Sequence, residues 1–427
     1  MCYDRYMSSF NVALFADTHI GYFYGSRTDA QNVNLRVRDG YNALGDVIND
    51  IIIHKDEIDV VLMAGDMFHT SHPTIRDIMI VQHYLRQLAK AGLPIHILAG
   101  NHDATDDRSY PAAVGVLDDP DRGIFGHYKP YDKLEIADGV FLHMLSHHGL
   151  HGDAAPELAP EQGMLNIFSS HGAAVDPNNQ ALMRCMESPR EQIIQPDIVL
   201  ADDFTLKALG HFHSRVPVGE EALNTWYAGS TLRRGFSDAP GSRGWSLFKI
   251  HGQNQVEVTH HDIPQRPQFD LELIDATGLS ASEINDLILL HIDATREDVG
   301  DGQFNPSRAP ILRQKVINIP TSVRNGLNRA EITTRANHAL KWQLDLEKPT
   351  EVESTHVQHE TDFADFMEQI ESAPSLDRKA NGTLNVTSSY KAWSEGSNTL
   401  QSLPEDKREP VDQEAFTHLE NAENKQD

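Results

Sequence analysis

The stretch that decides the fold is VVLMAGDMFHTSHP, residues 60–73. Five mostly apolar residues run into Gly65-Asp66, and His69 follows three positions later. A short apolar run closed by a turn signal reads as a buried strand. An acidic residue at its carboxyl end means, by itself, no more than a turn. Its significance depends on what the neighbouring strands bring to the same edge.

Those neighbours repeat the pattern. NVALFA (11–16) reads as a buried strand, and residues 37–52 place Val37, Tyr41, Leu44, Ile48 and Ile51 at helical spacing. TIRDIMIVQHYLRQLAKAG (74–92) is an amphipathic helix ending at Gly92, leading into the strand PIHILA (94–99). Further apolar runs follow at VFLHML, LNIFSS, DIVLA and TLKALG, several separated by Gly- or Asp-rich turns. The expectation is a sheet-based α/β domain over residues 1–262. DIPQRPQFD (262–270) reads as a linker into a small α+β module, residues 263–345, built from FDLELIDA, SASEINDLILLHI and PILRQKVINIP. From residue 346 Ser, Asn, Glu and Asp dominate, which predicts a mostly disordered acidic tail. TDFADFMEQIES (361–372) is the exception: Phe363, Phe366, Met367 and Ile370 form one helical stripe, suited to docking on a partner or on the chain's own fold.

Composition narrows the class. No run of about 18 apolar residues predicts a membrane span, and the first residues lack the basic and apolar segments of a signal peptide. Two cysteines, Cys2 and Cys185, form no CxxC, which argues against a disulfide framework or a thiolate zinc site and makes an intracellular location the default. The formal net charge is −27, of which residues 351–427 contribute −11 (17 acidic against 6 basic), leaving −16 for the rest. Such a chain is poorly suited to grip a polyanion by charge alone.

The chemistry lies at the strand ends. NVALFA ends in Asp17-Thr18-His19, DVVLMA in Gly65-Asp66, and PIHILA in Gly100-Asn101-His102-Asp103. LNIFSS gives His171-Gly172, and TLKALG closes on His211-Phe212-His213. In open α/β sheets ligands bind beyond the carboxyl ends of the strands. Asp, Asn and His without Cys suit manganese, iron or zinc. Asp66 sits centrally in the order, where its two oxygens can bridge two cations. A pair of metals about 3.5–4 Å apart can hold the attacking and leaving oxygens of a phosphoryl displacement and lower the pKa of bound water to about 7. Taken singly each piece has an ordinary reading: an incidental turn for DTH or GNHD, surface histidines for GHFH. Their joint occurrence, always at a strand end, is what carries the argument.

In this order the motifs resemble the calcineurin-like metallophosphoesterases, whose fold is a β-sandwich flanked by helices. GDMFH, HIGY after Asp17, YAGSTLRRGFSD (227–238), and the later FDLELID and VINIP segments resemble the SbcD-type DNA repair nucleases, over residues 11 to about 320. The resemblance implies one metal held by Asp17, His19, His213 and Asp66, and a second held by Asp66, Asn101, His171 and His211. It implies that His69 and His102 face the scissile phosphate. An imidazole at His102 suits protonation of the leaving 3′ oxygen. Asp103 either orients that ring or serves as a turn or cap residue. Arg233 and Arg234 either bind a DNA phosphate or form structural ion pairs. His143, His147, His148 and His151 match no motif position and read as loop histidines.

The activity so implied is that of a dinuclear-metal DNA nuclease, with two Mn2+ ions and with residues 263–345 as a capping domain that presents DNA. The implied partners are DNA and an SbcC-type ATPase, with a homodimer also open and no membrane. The implied location is the cytoplasm, that of a host if the chain is phage-encoded. Two other readings stay open: a phosphodiesterase or phosphatase acting on a small diester or phosphoprotein, favoured by the acidic charge, and a non-catalytic recruitment subunit.

Overall fold

The computed structural model describes residues 9–104, 112–150, 156–174, 192–199, 203–219, 224–252, 255–299 and 304–349. Of the described residues, 9–317 and 322–346 fall in one compact unit, and 318–321 with 347–349 fall in a second. The 361–372 segment and His151 lie outside the described residues.

Two six-stranded sheets build the first part of the larger unit. One runs β14 (Gln255–Asp262), β13 (Gly244–Gly252), β1 (Phe10–Phe15), β2 (Val60–Met63), β3 (Ile95–Leu98), β4 (Ile124–His127). The other runs β11 (Val216–Pro217), β12 (Thr225–Tyr227), β10 (Leu206–Gly210), β7 (Leu165–His171), β6 (Val140–Leu145), β5 (Tyr131–Ala137). A two-residue pair, β8 (Ala173–Ala174) and β9 (Ile193–Ile194), lies apart. Strands β1 to β4 are mutually parallel, as are β6, β7, β10 and β12. All their carboxyl ends within a sheet therefore face one way.

The apolar runs are continuous because these strands are covered on both faces. Val12, Leu14, Val60 and Leu62 point into a core shared with Leu142, Met144, Ile167, Leu206 and Ala208 of the second sheet. Their alternates Ala13, Phe15, Val61 and Met63 pack under Leu44, Val47 and Ile48 of α1 (Leu35–Ile53) and Val81, Leu85 and Leu88 of α2 (Ile75–Ala91). Helix α2 starts at a capping box between Thr74 and Asp77 and stops at Gly92, which adopts φ 83°. The architecture is the helix-flanked sandwich expected from the sequence.

Two local expectations are corrected. The described part of DIVLA is not a strand: Pro196–Val199 is a single helical turn, because Pro196 lacks the N–H that a strand needs and suits a first helical position. His143 is no loop residue but lies fully buried in β6, between the Tyr131 hydroxyl (2.6 Å) and Asn166 Oδ1 (3.1 Å). His148 is also buried.

Residues 268–346 build a third, four-stranded sheet from β15 (Gln268–Asp270), β16 (Ile274–Asp275), β17 (Ile311–Ile317) and β18 (Lys341–Leu346). Helices α3 (Ala281–Val299) and α4 (Arg329–Arg335) accompany it. It is tied to the first part of the unit through the β1–α1 connection. Tyr24 donates to Gln343 Oε1 at 2.7 Å, and the Arg27 guanidinium lies 3.9 Å from the Phe304 ring centre. Arg266 grips both oxygens of Asp39 at 2.6 and 2.7 Å.

Candidate metal centre

The loops after β1 and β2 are laced together by their backbones. Asp17 and His19 donate to the Gly65 and Asp66 carbonyls, Ile20 to Met67, and His69 back to Ile20, each at 2.9–3.0 Å. To make these bonds Asp17, His19 and Asp66 adopt φ of 50°, 43° and 57°, and His211 one of 101°. Side chains other than glycine rarely hold this region, and such strain gathers at functional sites. The glycines that precede the polar residues leave room for them. A Cβ at Gly65 would lie 2.1 Å from His171 Nδ1, and one at Gly100 would lie 2.2 Å from Asp66 Oδ1.

All seven residues expected to hold metal come together. Asp66 Oδ2 lies 3.6 Å from His19 Nε2 and 3.4 Å from His171 Nε2, between two groups of donors. On one side His19 Nε2 and His213 Nε2 face each other at 3.2 Å, with Asp17 Oδ1 3.9 and 3.8 Å away. On the other, Asn101 Oδ1 lies 3.1 Å from His171 Nε2 and 3.2 Å from His211 Nδ1. The Asp17-His19-His213 and Asp17-Asp66-His171 sets each offer ligand atoms within 4.8 Å of one another. Asp66 Oδ1 accepts the His102 amide at 2.9 Å, and Oδ2 faces both groups.

The imidazoles are set with their lone pairs inward. His171 Nδ1 donates to the Ala64 carbonyl at 2.8 Å, and His213 Nδ1 to Asp238 Oδ1 at 2.9 Å. Such outer bonds fix which ring nitrogen is left to ligate. Burial holds His19 well below the ordinary histidine pKa, so its ring is neutral. Burial also works against a charge on His171, but the charge and hydrogen bond of Asp66 and the charge of Asp17 outweigh it and raise the ring to about 10. The same oxygens that attract a proton there attract a cation. Nitrogen and oxygen donors without sulfur, two of the imidazoles held by outer hydrogen bonds, fit a pair of divalent metals.

His69 and His102 stand beside this cluster. Their rings stack at 5.1 Å and 21°, and the His19 ring meets His102 edge-on at 4.8 Å. Ring nitrogens of His19, His69 and His102 also fall within 4.8 Å of one another. His102 Nδ1 donates to the His69 carbonyl at 2.9 Å. Burial, followed by the neighbouring His102 and Arg234, lowers His69 to about 4, so its ring is neutral at neutral pH.

Asp103 does not orient the His102 ring. Its fully buried carboxylate accepts the amides of Phe68 (2.8 Å), Met67 (3.1 Å) and Gly100 (3.1 Å), clamping the β2 and β3 loops together. Three backbone donors in reach of a short side chain are a stronger call on that carboxylate than a ring already bonded elsewhere. Arg233 Nε donates to the Asp238 carbonyl at 3.3 Å, and its guanidinium lies 5.6 Å from the Phe236 ring centre. Arg234 stays at the site, with Nη2 3.2 Å from His213 Nδ1 and its guanidinium 5.8 Å from the Tyr22 ring centre.

Two participants escaped the sequence reading although both lie in quoted motifs. Asp238, the last residue of YAGSTLRRGFSD, holds His213 through Oδ1 and the Arg234 amide through Oδ2 (2.8 Å). Tyr22, in HIGY, meets the His69 ring edge-on with centres 5.1 Å apart and donates its hydroxyl to the Arg234 carbonyl at 3.2 Å. Neither position had a ligand-type spacing to betray it.

Residues 10–251 match the family model for calcineurin-like phosphoesterases, and the chain belongs to that family of metal-dependent phosphoesterases. Among curated relatives it is similar to the DNA double-strand break repair protein Mre11 of Methanosarcina acetivorans, 24% identical over 290 residues (66% of this chain, 44% of the relative). It is likewise similar to the protein of that name from Methanosarcina mazei, 26% identical over 291 residues (66% and 43%). The chain therefore spans less than half the length of these relatives. A dimetal phosphatase from Danio rerio aligns at 11% identity and a TM-score of 0.33, covering 58% of this chain and 98% of that one. Among the described residues no helix is long and apolar enough to cross a membrane.

Proposed function

We propose that the chain is a dinuclear-metal DNA nuclease. The observation that carries the chemistry is the position of Asp66 Oδ2 between two nitrogen- and oxygen-rich groups, with the His69–His102 pair alongside. Asp17, His19, His213 and Asp66 would hold one cation, and Asp66, Asn101, His171 and His211 the other, Mn2+ being the ion proposed. Bound there, two divalent ions supply positive charge for the phosphate oxygens and bring the pKa of water down to about 7.

The protein's own groups divide the remaining work. His102, with its Nδ1 proton committed to the His69 carbonyl, donates a proton from Nε2 to the leaving 3′ oxygen. Neutral His69 holds the His102 ring by stacking and contacts the phosphate. Arg234 supplies a cation at the same mouth. DNA as substrate is supported by the names of the two archaeal relatives, which are called double-strand break repair proteins. In this reading residues 263–345 narrow access and present the DNA, and an SbcC-type ATPase, engaged through the 361–372 segment, controls the nuclease in the cytoplasm.

The charge of −27 favours a second reading, hydrolysis of a small phosphodiester or phosphoprotein. Parallel assays on end-labelled duplex DNA, a cyclic nucleotide and a phosphopeptide with Mn2+ separate the two. Cleavage of DNA above the others supports the nuclease. Turnover of the small substrates alone, with the ATPase partner present, overturns it.

A further inference from the structure

A second group of metal-binding side chains lies on elements that take no part in the centre described above. Asp50 and His54 sit one turn apart at the carboxyl end of α1, and His261 lies on the edge strand β14. His261 is the cross-strand partner of Trp245 on β13. The Trp245 and His261 rings stack at 4.1 Å and 14°, and the His54 ring meets His261 edge-on at 4.5 Å. We propose that Asp50, His54 and His261 form a separate zinc site that ties α1 to β14.

The distances fit one ion. Zinc takes nitrogen and oxygen ligands at about 2.0–2.2 Å, which sets two tetrahedral ligands about 3.4 Å apart. His261 Nδ1 lies 3.3 Å from Asp50 Oδ2, and His54 Nδ1 lies 3.7 Å from Asp50 Oδ1. All three residues offer ligand atoms within 4.8 Å of one another. Two imidazoles and a carboxylate are a donor set suited to zinc, and the fourth position falls to water.

The ligands are also held in place by their surroundings, as working metal ligands are. The Trp245 indole N–H donates to Asp50 Oδ2 at 2.8 Å, which fixes the carboxylate. The stack on fully buried Trp245 fixes the plane of His261. His54 Nδ1 lies 2.9 Å from the Asp50 carbonyl, and zinc would exchange that hydrogen bond for a coordinate bond. Side-chain exposures of 32%, 28% and 17% for Asp50, His54 and His261 leave the ion a way in from solvent.

The test uses the full chain, stripped with a chelator and titrated with Zn2+. Wild type is expected to bind one equivalent more than His54→Gln and one more than Asp50→Asn, in which the amide oxygen can still accept from Trp245. Titration with Co2+, a paramagnetic stand-in, should quench tryptophan fluorescence more in wild type than in His54→Gln, because the ion would lie beside the Trp245–His261 stack. Hydrolysis of a small phosphodiester should be the same in all three proteins. Equal zinc stoichiometry in wild type and both variants overturns the site, and equal quenching overturns its place beside Trp245.

Discussion

His213 donates its Nδ1 proton to Asp238 at 2.9 Å, across 25 residues of sequence. The bond joins the GHFH and LRRGFSD motifs into one device, in which Asp238 decides that Nε2 is the nitrogen turned toward Asp17 and His19. Hydrogen bonding to His213 overcomes the burial that would raise it and keeps the Asp238 carboxyl below its usual range, so it stays ionised. Removing such an outer partner typically weakens metal binding about 10–100-fold. Asp238→Asn should therefore lower affinity for one equivalent of Mn2+ by that factor, leaving the other equivalent less affected. Calorimetric titration measures both.

Asp66→Asn tests the bridge. The amide oxygen can keep the bond from the His102 amide that Oδ1 now accepts, so the loop should hold. The amide NH2 would then stand where Oδ2 faces both donor groups, putting a donor in place of an anion. Phosphodiester hydrolysis should fall by several orders of magnitude with the far-UV spectrum unchanged. Metal analysis of wild type finding a single bindable Mn2+ would contradict the two-metal assignment.

His102→Ala removes the ring but keeps the backbone N–H that Asp66 accepts. General acid catalysis contributes about 10²–10⁴-fold, and DNA cleavage should drop by that much with both metals still bound. Bis-p-nitrophenyl phosphate, whose leaving group needs no proton, should lose far less. Equal losses on both substrates would rule out the proton-donor role.

Stability should fall in mild acid through His96. Its buried ring lies 3.0 Å from His127, which in turn bonds Asp132 at 3.1 Å. Burial, followed by the charge of His127, lowers His96 to about 3. The unfolded chain takes up a proton at this residue near pH 6.5 while the fold does not, so stability is lost as pH falls from about 6.5 toward 3. At about 1.4 kcal/mol per pH unit, the loss at pH 5 is about 2 kcal/mol. His96→Gln keeps a polar partner for His127 without the titration. Denaturant unfolding at pH 7 and pH 5 should show its stability declining by about 2 kcal/mol less than wild type over that interval.

Residue type and strand pattern point to the carboxyl edge of the sheets and to the nitrogen and oxygen donors that gather there. Strands such as VVLMA (60–64) and VALFA (12–16) are apolar at every position, and a polar residue that follows them falls at the sheet's carboxyl edge. The DTH, GD, GNHD and GHFH motifs were therefore legible as a set, together with the helices whose periodicity covers the outer face. Local pattern could not say how each side chain would be used, since that depends on which atoms competing partners reach first. Asp103 is taken by three backbone amides that tertiary structure brings to it, and Arg233 by Phe236 and the Asp238 carbonyl. Asp238 and Tyr22 gain their places only when the loop after β12 closes on the loops after β10 and β1. His261 lies more than 200 residues from Asp50 and His54 in sequence and meets them only because β13 and β14 fold back alongside β1. Residue type and strand position are local properties. Hydrogen-bond partnership is a property of distance in space, and only the folded chain sets it.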